Sequence, residues 1–151
     1  MTTQPPLTFA VVGCGRISSR HTQALADLAP SHNVKLTAVC DIIDSRAKNT
    51  AAKYGVKAYT DYQQVLDDPD IDVVSVCVPS GLHSPMGQAA ARAGKHVLME
   101  KPISLSLADA DALIETCERE GVTLGVVLQN RFNPPMRELR ALVDSGQLGQ
   151  L

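Results

Sequence analysis

The chain has 151 residues, 44% of them hydrophobic, with fourteen Lys and Arg against sixteen Asp and Glu for a net charge of -2. That suits one ordinary core, and the lack of a basic cluster argues against nucleic acid or an anionic membrane as partner. No apolar run approaches the ~18 residues of a membrane span, and the opening MTTQPPL has neither the basic nor the apolar region of a secretion signal, so a cytoplasmic protein is expected. Cys14, Cys40, Cys77 and Cys117 form no C-x-x-C pair. They read as buried free thiols, and no metal site is expected.

Along the chain, apolar β-branched runs recur at Thr8–Val12, Val34–Cys40, Val73–Val78, His96–Met99 and Leu124–Leu128, with a short one at Val56–Tyr59. Helical spacing fills the intervals. Ile17, His21, Ala24, Leu25 and Leu28 share one face, Asp44 caps a helix that Gly55 ends, and Tyr62–Leu66 makes a short helix. Pro85 suits a first turn closed by Gly94, and Ser106 with Asp109 starts a helix that Gly121 stops. The alternation predicts an α/β fold: a doubly wound, Rossmann-type parallel sheet of six strands with helices on both faces. Asn133, Pro134 and Pro135 open a last helix with an apolar stripe of Met136, Leu139, Leu142 and Val143. SGQLGQL then reads as a turn and the start of another strand. The expected division is a dinucleotide-binding domain over 1–130, then over 131–151 a connecting helix and the beginning of a further domain that is missing here.

Gly13-Cys14-Gly15 stands between the first strand and the first helix. A first glycine there permits a tight turn, a second lets a pyrophosphate approach the backbone, and the helix N-terminus supplies free N–H donors. Arg16 and Ile17 would lie over the phosphates, with Ser18 at the third fingerprint position. A G-x-G pair also suits a plain turn, but Asp41 ends the next strand, where a carboxylate accepts from the adenosine ribose hydroxyls. Asp41 would repel a 2′-phosphate, which favours NAD over NADP. In open α/β sheets the reactive end of a cofactor lies beyond the carboxyl ends of the strands. The stretches to inspect are therefore Pro79 to His83, Glu100 to Pro102 and Gln129 to Phe132.

GCGRIS, VPSGLH, AGKHVLMEKPIS and QNRF together resemble the N-terminal half of the glucose–fructose oxidoreductase, inositol dehydrogenase and MocA (Gfo/Idh/MocA) family. The resemblance implies NAD-dependent oxidation of a secondary alcohol of a sugar or cyclitol, in an enzyme whose α+β substrate domain lies beyond this chain. It implies that Lys101 lies beside the nicotinamide and the substrate hydroxyl, that Glu100 contacts the cofactor, and that Ser80 and His83 line the same cleft with Pro79 and Gln129. Lys101 also fits the chemistry directly, because removing a hydride from a carbinol carbon requires the hydroxyl proton to be taken as well. Proline at 102 makes the Lys101–Pro102 bond a candidate for cis.

LQNRFNPP is similar to the sixth-strand exit of UDP-N-acetyl-2-amino-2-deoxyglucuronate 3-dehydrogenases, which serve polysaccharide biosynthesis. That implies a UDP-linked N-acetylamino uronate as substrate, oxidised at C3, with Asn130 and Arg131 facing it. Alternatives are an inositol or simple-sugar dehydrogenase and a non-catalytic NAD-responsive regulatory module, which would need no base at Lys101. Either enzyme is expected to be a homo-oligomer, and the present chain to be inactive alone. His21, His32 and His96 follow no strand end and are read as structural.

Overall fold

In a computed structural model describing residues 4–150, the chain alternates strands and helices. They are β1 (Leu7–Val12), α1 (Ser18–His32), β2 (Val34–Cys40), α2 (Asp44–Tyr54), β3 (Lys57–Tyr59), α3 (Tyr62–Asp67) and β4 (Val73–Val76), followed by α4 (His83–Arg92), β5 (His96–Met99), α5 (Leu107–Arg119), β6 (Leu124–Val126) and α6 (Pro134–Asp144). One sheet holds all six strands in the order β3-β2-β1-β4-β5-β6, and every pairing is parallel. The order reverses between β1 and β4, the place where open α/β sheets bind ligands.

β1 shows why both faces need helices. Val11 packs with Leu25 of α1 and Ala51 of α2, whereas Ala10 and Val12 join a second core with Val65 and Leu66 of α3, Ala90 and Ala91 of α4, and Leu113 of α5. A strand covered on both sides loses the polar–apolar alternation, and β4 is buried throughout.

Several local expectations change. The buried residues of α1 are Ser18, Thr22 and Leu25, while Ile17 and Leu28 are exposed. Small side chains face the sheet here, and the Thr22 hydroxyl is satisfied by the Ser18 carbonyl at 3.1 Å. Asp44 is the first helical residue rather than a cap: Ile43 precedes it, and its carboxylate pairs with Lys48 at 2.8 Å. β4 and β6 stop two residues earlier than their apolar runs, at Val76 and Val126. Beyond them the chain turns into short 3-10 segments, Ser80–Leu82 and Gln129–Phe132. The Ser106 start holds, its hydroxyl accepting from the Asp109 N–H at 3.1 Å.

At the far end, α6 begins after Asn133 as expected but buries none of its residues, so Met136, Leu139 and Val143 are exposed in the chain by itself. Residues 145–148 form the expected turn, but residues 149–150 after it are not strand, and Leu151 lies outside the described residues. Gly146 and Gly149 take positive φ of 73° and 75°, which is incompatible with an extended strand. Among the described residues no helix is long and apolar enough to cross a membrane.

Candidate functional site

Gly13 must be glycine. Its φ is +90°, and a Cβ built on it would lie 2.6 Å from the Cys77 carbonyl oxygen, backbone against backbone. The loop is held by bonds from the Gly13 N–H to the Cys40 carbonyl at 2.7 Å and from the Cys14 N–H to Asp41 Oδ2 at 2.8 Å. The N–H groups of Gly15, Arg16 and Ile17, which lead into α1, have no acceptor among the described residues. A Cβ on Gly15 would meet nothing within 4 Å. Bare donors, open space and a helix N-terminus together fit a pyrophosphate, so the residues present suit a dinucleotide.

Asp41 lies at the end of β2, 8% exposed, its oxygens accepting from the Cys14 and Ile43 N–H groups, each at 2.8 Å. Each carboxylate oxygen has a second lone pair, and the group borders a cavity of about 440 Å³ with Gly13, Gly15, Ile42, Arg46 and Tyr62. A second cavity, of about 710 Å³, is lined by Ser80, His83, Glu100, Lys101 and Gln129. Both are bordered by Arg16, Ile17, Val78 and Pro79. One cleft therefore runs from Asp41 across the glycine loop to Lys101, about the path a dinucleotide follows across the switch point.

Lys101 is exposed to this cleft directly after β5, and the Lys101–Pro102 peptide bond is cis. Glu100 is 5% exposed and turned inward, with Oε1 at 2.9 Å from His21 Nε2 and Oε2 accepting the Lys101 N–H at 3.1 Å. His83 is 1% exposed, its ring nitrogens 2.6 Å from the Pro102 carbonyl oxygen and 2.9 Å from that of Val78. It borders the cleft, yet both nitrogens are occupied by main chain, so it braces the corner after Lys101 and has no nitrogen free for a ligand.

The fold thus gathers Gly13, Gly15, Arg16, Ile17, Asp41, Pro79, Ser80, His83, Glu100, Lys101 and Gln129 around one cleft. Asn130 and Arg131 do not line it. Arg131 faces a separate groove with Phe132, Met136, Arg137 and Arg140, because the 3-10 turn after Leu128 swings the chain away from the sheet. His21, set aside on sequence grounds, stands beside Glu100. The sequence did carry a signal for it: Ser75 interrupts the run Val-Val-Ser-Val, is fully buried, and needed a polar partner, which is His21 Nδ1 at 2.8 Å. Cys14 is half-buried, while Cys40, Cys77 and Cys117 are buried. Burial pushes the Cys14 thiol up, and the Cys40 and Cys77 thiols each to about 12.

The family described as "Oxidoreductase family, NAD-binding Rossmann fold" matches residues 7–128. The chain belongs to this Gfo/Idh/MocA family. NAD is the cofactor of its domain. Among relatives, an uncharacterized oxidoreductase of Bacillus subtilis, YrbE, is 35% identical over 144 residues, 95% of this chain and 41% of the relative. The myo-inositol 2-dehydrogenase of Thermotoga maritima is 35% identical over 145 residues, 95% of this chain and 42% of the relative. Among solved structures, the WlbA dehydrogenase of Bordetella pertussis in complex with NADH and UDP-GlcNAcA superposes with a TM-score of 0.92 at 30% identity, over 96% of this chain and 44% of that one. The chain therefore spans less than half the length of these Gfo/Idh/MocA relatives.

Proposed function

We propose that the chain is the cofactor half of an NAD-dependent sugar dehydrogenase, completed by a substrate domain, which oxidises C3 of a UDP-linked N-acetylamino uronate. The observation that carries the dehydrogenase reading is Lys101 exposed in the cleft directly after β5, on the path leading from the glycine loop. The uronate is favoured by the TM-score of 0.92 to a protein crystallised with UDP-GlcNAcA. A second reading, an inositol dehydrogenase, is favoured by the higher identity, 35%, to myo-inositol 2-dehydrogenase.

Bound NAD+ supplies the hydride acceptor. Gly15, Arg16 and Ile17 hold its pyrophosphate through main-chain N–H groups, and Asp41 accepts from its ribose. Lys101 Nζ takes the proton of the substrate hydroxyl as the carbon–hydrogen bond breaks. Glu100 and His83 fix the main chain on either side of that amine, through the Lys101 N–H and the Pro102 carbonyl. In the part of the cleft around Lys101, four cationic side chains, Arg16, Arg20, Lys53 and Lys101, line the cavity, and Glu100 is its one acid among the described residues. That balance suits an anionic substrate.

The test joins the chain to a substrate domain of the family and offers UDP-linked N-acetylamino uronate, myo-inositol and scyllo-inositol with NAD+, following NADH absorbance. Turnover of the uronate alone supports the first reading, and turnover of the inositols alone the second. No turnover of any supports the view that this is a non-catalytic module. In the active form, Lys101→Met should lower kcat by about 10²–10⁴-fold with NADH affinity kept. Activity within a few-fold of the parent removes Lys101 as the proton acceptor.

A further inference from the structure

We propose that His21 is a positioning residue for the Lys101 amine, acting through Glu100. The Glu100 carboxylate is almost fully buried and is not within ion-pairing distance of any lysine or arginine among the described residues. A buried carboxylate without hydrogen-bond donors is strongly unfavourable. Its side-chain donor is His21 Nε2, 2.9 Å from Oε1, and its other oxygen accepts the Lys101 N–H at 3.1 Å.

The tautomer follows from the partners. A carboxylate only accepts, so the hydrogen sits on Nε2. Nδ1 then accepts from the Ser75 hydroxyl, 2.8 Å away. Ser75 is fully buried on β4, which leaves the ring pinned at both nitrogens and unable to turn without breaking both bonds. The three residues come from α1, β4 and the exit of β5. The helix whose first N–H groups face the phosphate site is thereby tied to the strand whose end carries Lys101. Glu100, with both oxygens spoken for, serves as an internal strut, and His21 sets where that strut stands.

The inference rests on the reading of Lys101 as the reacting amine, but its test needs neither substrate nor turnover. A glutamine amide nitrogen falls near the position of His Nε2, and that of asparagine near Nδ1. His21→Gln therefore keeps a donor for Glu100, and His21→Asn removes it. In the 151-residue chain, exchange of the Lys101 amide hydrogen is followed by NMR, and NADH affinity by fluorescence. His21→Asn should speed that exchange about tenfold or more and weaken NADH severalfold, with His21→Gln within about threefold of the parent in both. Equal Lys101 exchange in all three proteins, or equal damage in both variants, overturns the proposal. If His21→Asn fails to fold, Ser75→Ala replaces it: freeing Nδ1 should raise Lys101 exchange about threefold, and an unchanged rate is again fatal. Failure of Lys101→Met to affect turnover would instead remove the base and leave the strut standing.

Discussion

At the amino end of the sheet, Asp68 accepts from Lys57 Nζ at 2.9 Å, from the Tyr59 hydroxyl at 2.8 Å and from the Asp70 N–H at 2.9 Å. Lys95 Nζ donates to the Asp68 and Ile71 carbonyls, both at 2.8 Å, and Asp72 accepts from the Thr8 N–H at 2.8 Å and its hydroxyl at 2.7 Å. At the carboxyl end, three consecutive N–H groups face no acceptor, a glycine leaves empty space, and Lys101 has no acidic side chain within pairing distance among the described residues. Both ends carry polar groups. The amino end closes its groups on one another, whereas the carboxyl end keeps donors spare, at a cost in stability that a bound anion would offset.

The contrast breaks most visibly at the glycines. Gly13→Ala should fold poorly, because strain at its φ of +90° alone costs about 1–3 kcal/mol and the Cys77 carbonyl cannot yield to a Cβ at 2.6 Å. Gly15→Ala has neither obstacle and should keep its melting temperature while losing NADH affinity, since its methyl enters the space meant for phosphate. Equal melting losses in both variants would mean that the space beside Gly15 is as filled as that beside Gly13.

Next in size is Asp41→Asn, which keeps the shape that holds the Cys14 and Ile43 N–H groups but removes the charge. A hydrogen bond to a charged acceptor contributes about 1.5–3 kcal/mol, so NADH should bind about 10- to 100-fold more weakly and the preference over NADPH should narrow. Titration showing an unaltered NADH-to-NADPH ratio would take Asp41 away from the ribose.

The smallest effect belongs to the closed end. The Thr8 N–H and hydroxyl hold the Asp72 carboxyl below the usual carboxylate range. A group depressed on folding stabilises above its unfolded pKa and loses that contribution as pH falls through the folded value. Asp72 is exposed, and solvent screening keeps the term small. Asp72→Asn should melt about 1–3 °C lower at pH 7, with the gap closing as pH falls below the ordinary aspartate pKa of about 3.9 and NADH affinity untouched. A gap that widens in acid would reverse the sign of this interaction.

Much of this was legible in the chain itself. The alternation of β-branched runs with helical spacing determined a parallel sheet covered on two faces, because a strand buried on both sides has no polar alternation to show. Gly13, Gly15 and Asp41 could be placed together, since each lies within a few residues of a strand end. Glu100, Lys101 and Ser80 were legible for the same reason. What lay beyond reach depended on directions in space. His21 sits in the first turn of α1, and only the packing of that helix against the sheet brings it between Ser75 and Glu100. Arg131 follows a strand, yet the turn after Leu128 carries it to another groove, and His83 points into main chain because the exits of β4 and β5 each offer it a carbonyl, Val78 and Pro102. Local spacing dictates which element a residue occupies; where its side chain ends is decided by the elements that pack against it.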